Sequence, residues 1–335
     1  MWTGLLLAVV LTVYFVAPIE WDALTEEFKK TRLGFVALAV VMLLCEFGLR
    51  AVRWKLLLRR LAPDARVLDL FSATVIGAAA NSMLPARAGE IAKPLVASHK
   101  IGVPFTSVIA TAVLERVFDL LGLVTVLLAM SLTLPDSVGV SAEDAELVGN
   151  LKKYGSLAAA AAMAGLGTFL ALTLKGGAAR GVFEALLTPA PPPVRRRFLQ
   201  LFDGFVDGLA SVRDPGAVAQ AALISLVIWF NGAGAIFMLF KAFSLSLPFG
   251  AACFTTVAIA VAVVLPQAPG FLGVFPVAIE KTLMLWSVDP TPAKAFAIVF
   301  WGVSFIPVTL VGLVALWREG LSLRSFWRRP DNPPE

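Results

Sequence analysis

Asn81-Ser82-Met83-Leu84-Pro85-Ala86-Arg87-Ala88-Gly89-Glu90 decides how this chain is read. It interrupts an apolar segment, 68–84, with a proline, a glycine and charged side chains. Proline removes a backbone donor and clashes with the preceding turn, so one helix ends before Pro85 and another begins near Gly89. A second break, Leu265-Pro266-Gln267-Ala268-Pro269-Gly270, follows a second apolar segment, 249–265. Both breaks carry the pattern Leu-Pro-x-x-x-Gly.

Around these breaks the chain is too apolar for a soluble globule. Of its 335 residues 59% are hydrophobic and 15% are charged, against about 25% charged in soluble domains. The mean hydropathy is +0.84. Soluble enzymes, nucleic-acid modules and disulfide-rich secreted frameworks are therefore excluded, and Cys45 and Cys253 sit in apolar runs as small hydrophobes. A spanning helix needs about 20 mostly apolar residues. The stretches 3–19, 33–49, 107–134, 156–174, 217–240 and 295–316 qualify. The N-terminus lacks the basic residues and cleavage site of a signal peptide, so 3–19 reads as a first membrane helix.

Charge orients the map. Arg50, Arg53, Lys55, Arg59, Arg60 and Arg66 crowd 50–66; Arg195-Arg196-Arg197 follow the proline-rich 189–193; Arg318, Arg324, Arg328 and Arg329 mark the tail. These belong on the cytoplasmic side, and the acidic connection 135–153 belongs outside. All loops obey this rule if 68–104 and 249–288 dip in and return. The expectation is an all-α polytopic membrane protein with about six full crossings, two re-entrant broken-helix hairpins and an inverted-topology repeat. The halves are 1–154, with hairpin 68–104, and 155–329, with cytoplasmic linker 175–216 and hairpin 249–288. Residues 330–335 read as a disordered tail, with both termini cytoplasmic.

The residues with chemistry cluster between 81 and 119. Charge at a bilayer centre is costly and marks either a tight pair or a function. Glu115 and Asp119 share a helix face, and Arg116 can pair with Asp119. Their plain reading is an internal ion pair that stitches helices together; their functional reading is a polar cavity wall. Arg87 and the first amides of the half-helix from Gly89 suit a phosphate, with Lys93 assisting. Glu90 either complements the helix dipole or carries a proton. Arg50, Arg53, Trp54 and Lys55 read as an amphipathic segment in the interface that gathers anionic headgroups. His99 is the single histidine, so no metal constellation forms, and no nucleotide-binding motif is present.

Arg53-Trp54-Lys55-x-Leu57-Leu58, Asn81-x-x-Leu84-Pro85-x-Arg87-x-Gly89-Glu90, Glu115-Arg116-x-x-Asp119 and Pro269-Gly270-x-x-Gly273-Val274-Phe275 occur in that order. With these motifs the chain resembles the lysylphosphatidylglycerol synthase transmembrane region, the flippase-like domain of bacterial multiple peptide resistance factors. The resemblance spans nearly the whole chain. It implies lipid translocation, or a membrane step in lipid or glycan-lipid metabolism, and adds Pro269, Gly270 and Gly273 to the substrate-binding set. Ser82 and Pro276 stand where the family often has a second asparagine and an acidic residue. No sizeable soluble segment follows Trp317, so aminoacylation by this stretch is not expected.

The leading expectation is a translocator that moves a phosphate-bearing lipid, a phospholipid or polyprenyl phosphate, between leaflets of a bacterial inner membrane. Asn81, Arg87, Gly89, Glu90, Lys93, Glu115, Arg116 and Asp119 would line the path, with Glu90 a candidate for proton coupling. The set Arg87, Glu90, Glu115, Arg116 and Asp119 sums to −1, so an anion needs Lys93 or a protonated acid. With no nucleophile beside a base, the chain reads as a non-enzyme without a cofactor. A membrane transferase on a lipid-linked donor and a scaffold for a cytoplasmic synthase are the alternatives. The partners are membrane lipids, with a homodimer and that synthase as protein partners, and no nucleic acid.

Overall fold

The computed structural model describes residues 10, 12–17, 19–84, 87–133, 180, 184–185, 191–209, 213–264, 269–271 and 273–320. The connection 135–153, the span 156–174, part of the linker 175–216, about half of the first span 3–19 and the tail 330–335 lie outside them.

The described elements are all helical. They are α1 (Trp21–Lys30), α2 (Leu33–Leu58), α3 (Val67–Met83), α4 (Gly89–Ile101), α5 (Phe105–Thr133), α6 (Pro192–Gly208), α7 (Pro215–Ala242), α8 (Phe249–Val264), α9 (Val274–Met284) and α10 (Pro290–Arg318). A 3₁₀ turn, Pro269–Phe271, lies between α8 and α9. Local chemistry explains several ends. Asp214 caps α7 by accepting from the Ala217 amide at 3.2 Å, with Pro215 in the first turn. Gly102, at φ 65°, closes α4 in the left-handed conformation.

Helix lengths fall into two groups. α2, α7 and α10 have 26, 28 and 29 residues and are long and apolar enough to cross a membrane. The chain is an integral membrane protein. The hairpin helices α3 and α4, with 17 and 13 residues, reach only about 25 and 20 Å. α8 and α9, with 16 and 11 residues, are shorter still than a bilayer core of about 30 Å.

Packing repeats between the halves. Exchanging α1–α5 for α6–α10 in order maps the helix pairs onto one another. α3 against α10 becomes α8 against α5; α4 against α5 becomes α9 against α10; α1 against α10 becomes α6 against α5. α2 and α7 pack against each other at the centre of this pattern. An amphipathic helix, a long helix, a hairpin and a second long helix thus occur twice.

Residues 50–58 are not a separate helix on the membrane surface: they continue α2, and Ala51, Arg53, Trp54, Leu57 and Leu58 are buried. Trp54 and its apolar neighbours pack into the core formed with α3 and α5, which outweighs surface amphipathicity.

Candidate functional site

α3 and α4 close against each other because Gly77 and Gly89 face the partner helix. A Cβ on Gly77 would lie 2.7 Å from the Lys93 Cβ, and one on Gly89 would lie 2.6 Å from the Asn81 side chain. This contact draws Lys93 inward toward α5. Its Nζ meets Glu115 Oε2 at 2.5 Å and lies 4.2 Å from the Trp54 ring centroid. Trp54 in turn donates its Nε1 hydrogen to Thr111 at 2.9 Å.

Arg53 is the hub of the buried network. Its side chain is fully buried. Its Nη1 donates to Asp119 Oδ1 and to Ser225 Oγ, each at 2.8 Å. Its Nη2 lies 3.6 Å from Glu115 Oε1. Asp119 also accepts from Arg116 Nη1 at 3.2 Å and sits 3.4 Å from Arg50 Nη1. Arg50 is anchored by Glu46, which takes its Nη2 and Nε at 2.7 and 3.0 Å. Glu46, Glu90, Glu115 and Asp119 thus face Arg50, Arg53, Lys93 and Arg116, and the formal charges cancel.

One pair in this network is open. Arg116 Nη2 meets both Glu90 oxygens at 2.8 and 3.0 Å, and the two side chains are 55% and 44% exposed. Arg116 lies eleven residues past the start of α5, about 17 Å along its axis. Charge at that depth faces water or a polar headgroup at lower cost than hydrocarbon.

The other sequence-selected residues are placed differently. Arg87 is exposed, adopts φ 54°, and donates to the Val263 carbonyl of α8. It thereby links the two hairpins. Asn81 Oδ1 is buried with no hydrogen-bond partner, close to Gly89. Lys55 is partly exposed on α2. Pro269, Gly270 and Gly273 shape the second break: Gly270 and Gly273 have φ 73° and 85°, and the Gly270 carbonyl accepts from Trp301 at 2.7 Å.

Glu46, Thr111 and Ser225 complete the network and were not singled out by sequence reasoning. Glu46 carried a usable signal, as an acid inside an apolar span four residues before Arg50. Thr111 and Ser225 carried none, because hydroxyls are common in apolar helices.

The sequence profile of the lysylphosphatidylglycerol synthase transmembrane region matches residues 1–312. A Haloferax volcanii protein named "Glycosyltransferase AglD" is 27% identical over 322 residues, which cover 88% of this chain and 50% of the relative. The chain spans about half the length of that curated relative. No solved structure matches it.

The relative overturns the expectation of a non-enzyme, because it is itself named a glycosyltransferase. The physical reason is that the missing nucleophile–base pair was a weak criterion. Group transfer can run on a carboxylate base and cations that stabilise a departing phosphate, without a covalent enzyme nucleophile. The profile match across nearly all of the chain makes it a member of the lysylphosphatidylglycerol synthase transmembrane region family, a membrane protein of lipid or glycan metabolism.

Proposed function

We propose that the protein binds the phosphate of a membrane lipid at the Arg116–Glu90 pair and moves that headgroup between leaflets. The observation that carries this reading is the half-exposed ion pair far along α5, backed by the buried Lys93–Glu115–Arg53–Asp119 network. A guanidinium held by carboxylates is preorganised for a phosphate. Because the formal charges cancel, a phosphate enters by taking the place of Glu90 on Arg116.

Arg87 serves this reading as a hinge between hairpins through its bond to Val263, with its phosphate role confined to states in which that bond opens. The two halves lie in opposite membrane sense, in a cytoplasmic membrane with both termini inside. This extends the repeated packing with the charge asymmetry of the loops.

The test is leaflet exchange of headgroup-labelled phosphatidylglycerol and polyprenyl phosphate in liposomes that hold the purified protein. Exchange of one of these lipids is expected, with at least a tenfold loss in Arg116→Gln. No exchange of either lipid by folded protein overturns translocation. The Haloferax volcanii relative favours a second reading, in which the same site presents a lipid phosphate for glycosyl transfer. Mass spectrometry of liposomes supplied with a lipid-linked sugar tests it: a new glycosylated product supports transfer.

A further inference from the structure

A cavity of about 270 Å³ lies where α2 and α7 meet the second hairpin and α10. At its polar end stand Glu46 and Arg50, already joined to each other. Ile228, Ile259, Phe275 and Phe300 contribute to the apolar walls. The Thr256 hydroxyl that borders it donates to the Ala252 carbonyl at 2.8 Å, so it has a partner within its own helix. Apart from Glu46, Arg50, Ser304, Thr256 and the Trp229 Nε1 hydrogen, the lining is apolar, a surface that favours hydrocarbon over water.

The repeat sharpens the contrast. Exchange of the halves maps this space onto the region where α7 and α2 meet α3, α4 and α5. There Arg53 and Trp54 are fully buried. The same scaffold buries large side chains on one side and leaves a cavity on the other.

Arg50 connects the two. It lines the cavity and reaches Asp119, which binds Arg116. Its Nε and Nη2 are held by Glu46, but Nη1 has only long contacts to Asp119, at 3.4 and 3.5 Å. Nη1 is thus the least tightly held donor of Arg50, the one a phosphate oxygen can approach while Glu46 keeps the guanidinium in place.

We propose that this cavity seats the hydrocarbon chain next to the phosphate of the bound lipid, with Arg50 at the junction of head and chain. The proposal rests on the headgroup reading above. Its size, slightly below the usual range of about 300–1,000 Å³ for a whole small-molecule site, suits part of one chain. The occupant is a hydrocarbon chain attached to phosphate, whether acyl or prenyl.

The test uses the full protein in nanodiscs with a diazirine placed near the head of the chain. One arm carries photoactivatable phosphatidylglycerol, the other photoactivatable polyprenyl phosphate. Crosslinks are mapped by mass spectrometry. Labelling at Ile228, Ile259 or Phe275 is expected in one arm, and the productive arm identifies the chain. Gly232→Leu and Ala260→Phe fill the cavity; a Cβ on Gly232 has room, 3.7 Å from Glu46 Oε2. Each is expected to lower cavity labelling at least fivefold while the protein stays folded by thermal melting. Should one variant fail to fold, the other still decides.

Labels confined in both arms to outward residues such as Leu223, Val261 and Leu310, 63%, 62% and 58% exposed, would overturn the proposal. So would cavity labelling that survives both fillings. Cavity labelling without leaflet exchange would uphold the chain seat and remove translocation. Leaflet exchange with no cavity label would do the reverse.

Discussion

The two hairpins share one packing scheme and hold it together with different chemistry. The first closes on charge: Lys93 on Glu115, Arg53 on Asp119, Arg116 on Glu90. The second closes on rings: Phe275 lies 5.5 Å from Phe300 and 5.1 Å from Phe305, and Phe271 stacks on Phe305 at 5.2 Å. Its buried pair, Glu280 with Lys294, is 3.9 Å apart, and Glu280 Oε2 has no hydrogen-bond partner. A scaffold that needs only burial accepts aromatic filling. The other half spends four cations and four acids on pairs with one another, and the proposed reading gives that arrangement a charged ligand.

Arg53→Leu should break this comparison most severely. It leaves Asp119 and Glu115 facing each other without the shared guanidinium, and loss of one partner of a buried pair costs about 3–5 kcal/mol. Glu280→Gln in the second half should cost less, about 1–3 kcal/mol, because its pair is already wide. Denaturant unfolding in detergent compares the two. Equal losses would erase the distinction between charge-closed and ring-closed halves.

The breaks themselves differ in the next rank of effects. Gly89 is required by close approach, so Gly89→Val should cost about 1–3 kcal/mol through overpacking against Asn81 and the α3 backbone. Gly273 is required by conformation, at φ 85°, so Gly273→Ala should cost about 1–2 kcal/mol through backbone strain. Thermal melting of Gly89→Ala, Gly273→Ala and Gly273→Asn separates the causes. At φ 85° and ψ −69° Gly273 lies outside the left-handed helical region that asparagine tolerates, so both substitutions at 273 should cost alike, whereas alanine at 89 should clash with the Gly77 carbonyl.

The smallest effect lies at the seam between halves. Glu319, just past α10, accepts from Lys100 and from Ser72 at 3.0 Å. The Lys100 hydrogen bond, opposed by burial, holds its carboxyl below the usual carboxylate range. A depressed carboxyl stabilises the fold above its ordinary range and loses that contribution as pH falls through it. Glu319→Gln should flatten the loss of stability on acidification by less than about 1 kcal/mol, since the pair is partly exposed. Melting temperatures measured from neutral to acidic pH check this.

Much of this arrangement was legible in sequence. Pro85 and Gly89 marked the first break because a ring and a missing Cβ act locally. Glu115, Arg116 and Asp119 stood out because charge in an apolar helix is rare. Arg53 was misread because its helical neighbours, Arg50, Trp54 and Lys55, suit an interface equally well; only α5 and α7 supply the Asp119 and Ser225 that bury it. Arg87 was legible as a residue of the break but not as the partner of Val263, a contact between segments far apart in the chain. The cavity was invisible for the same reason: its walls come from five helices.

The central claim is that Arg116 recognises lipid phosphate and does not merely latch α4 to α5. The most direct measurement is leaflet exchange of headgroup-labelled lipid by wild type, Arg116→Gln and the charge-swapped double variant Glu90→Arg/Arg116→Glu. The swap rebuilds an ion pair but moves the guanidinium away from Asp119. The account predicts at least tenfold slower exchange in both variants, with the swap recovering part of the melting temperature, since the carboxylate at 116 then faces Asp119, and none of the exchange. Full recovery of exchange in the swapped protein would contradict it, because any opposite pair would then suffice.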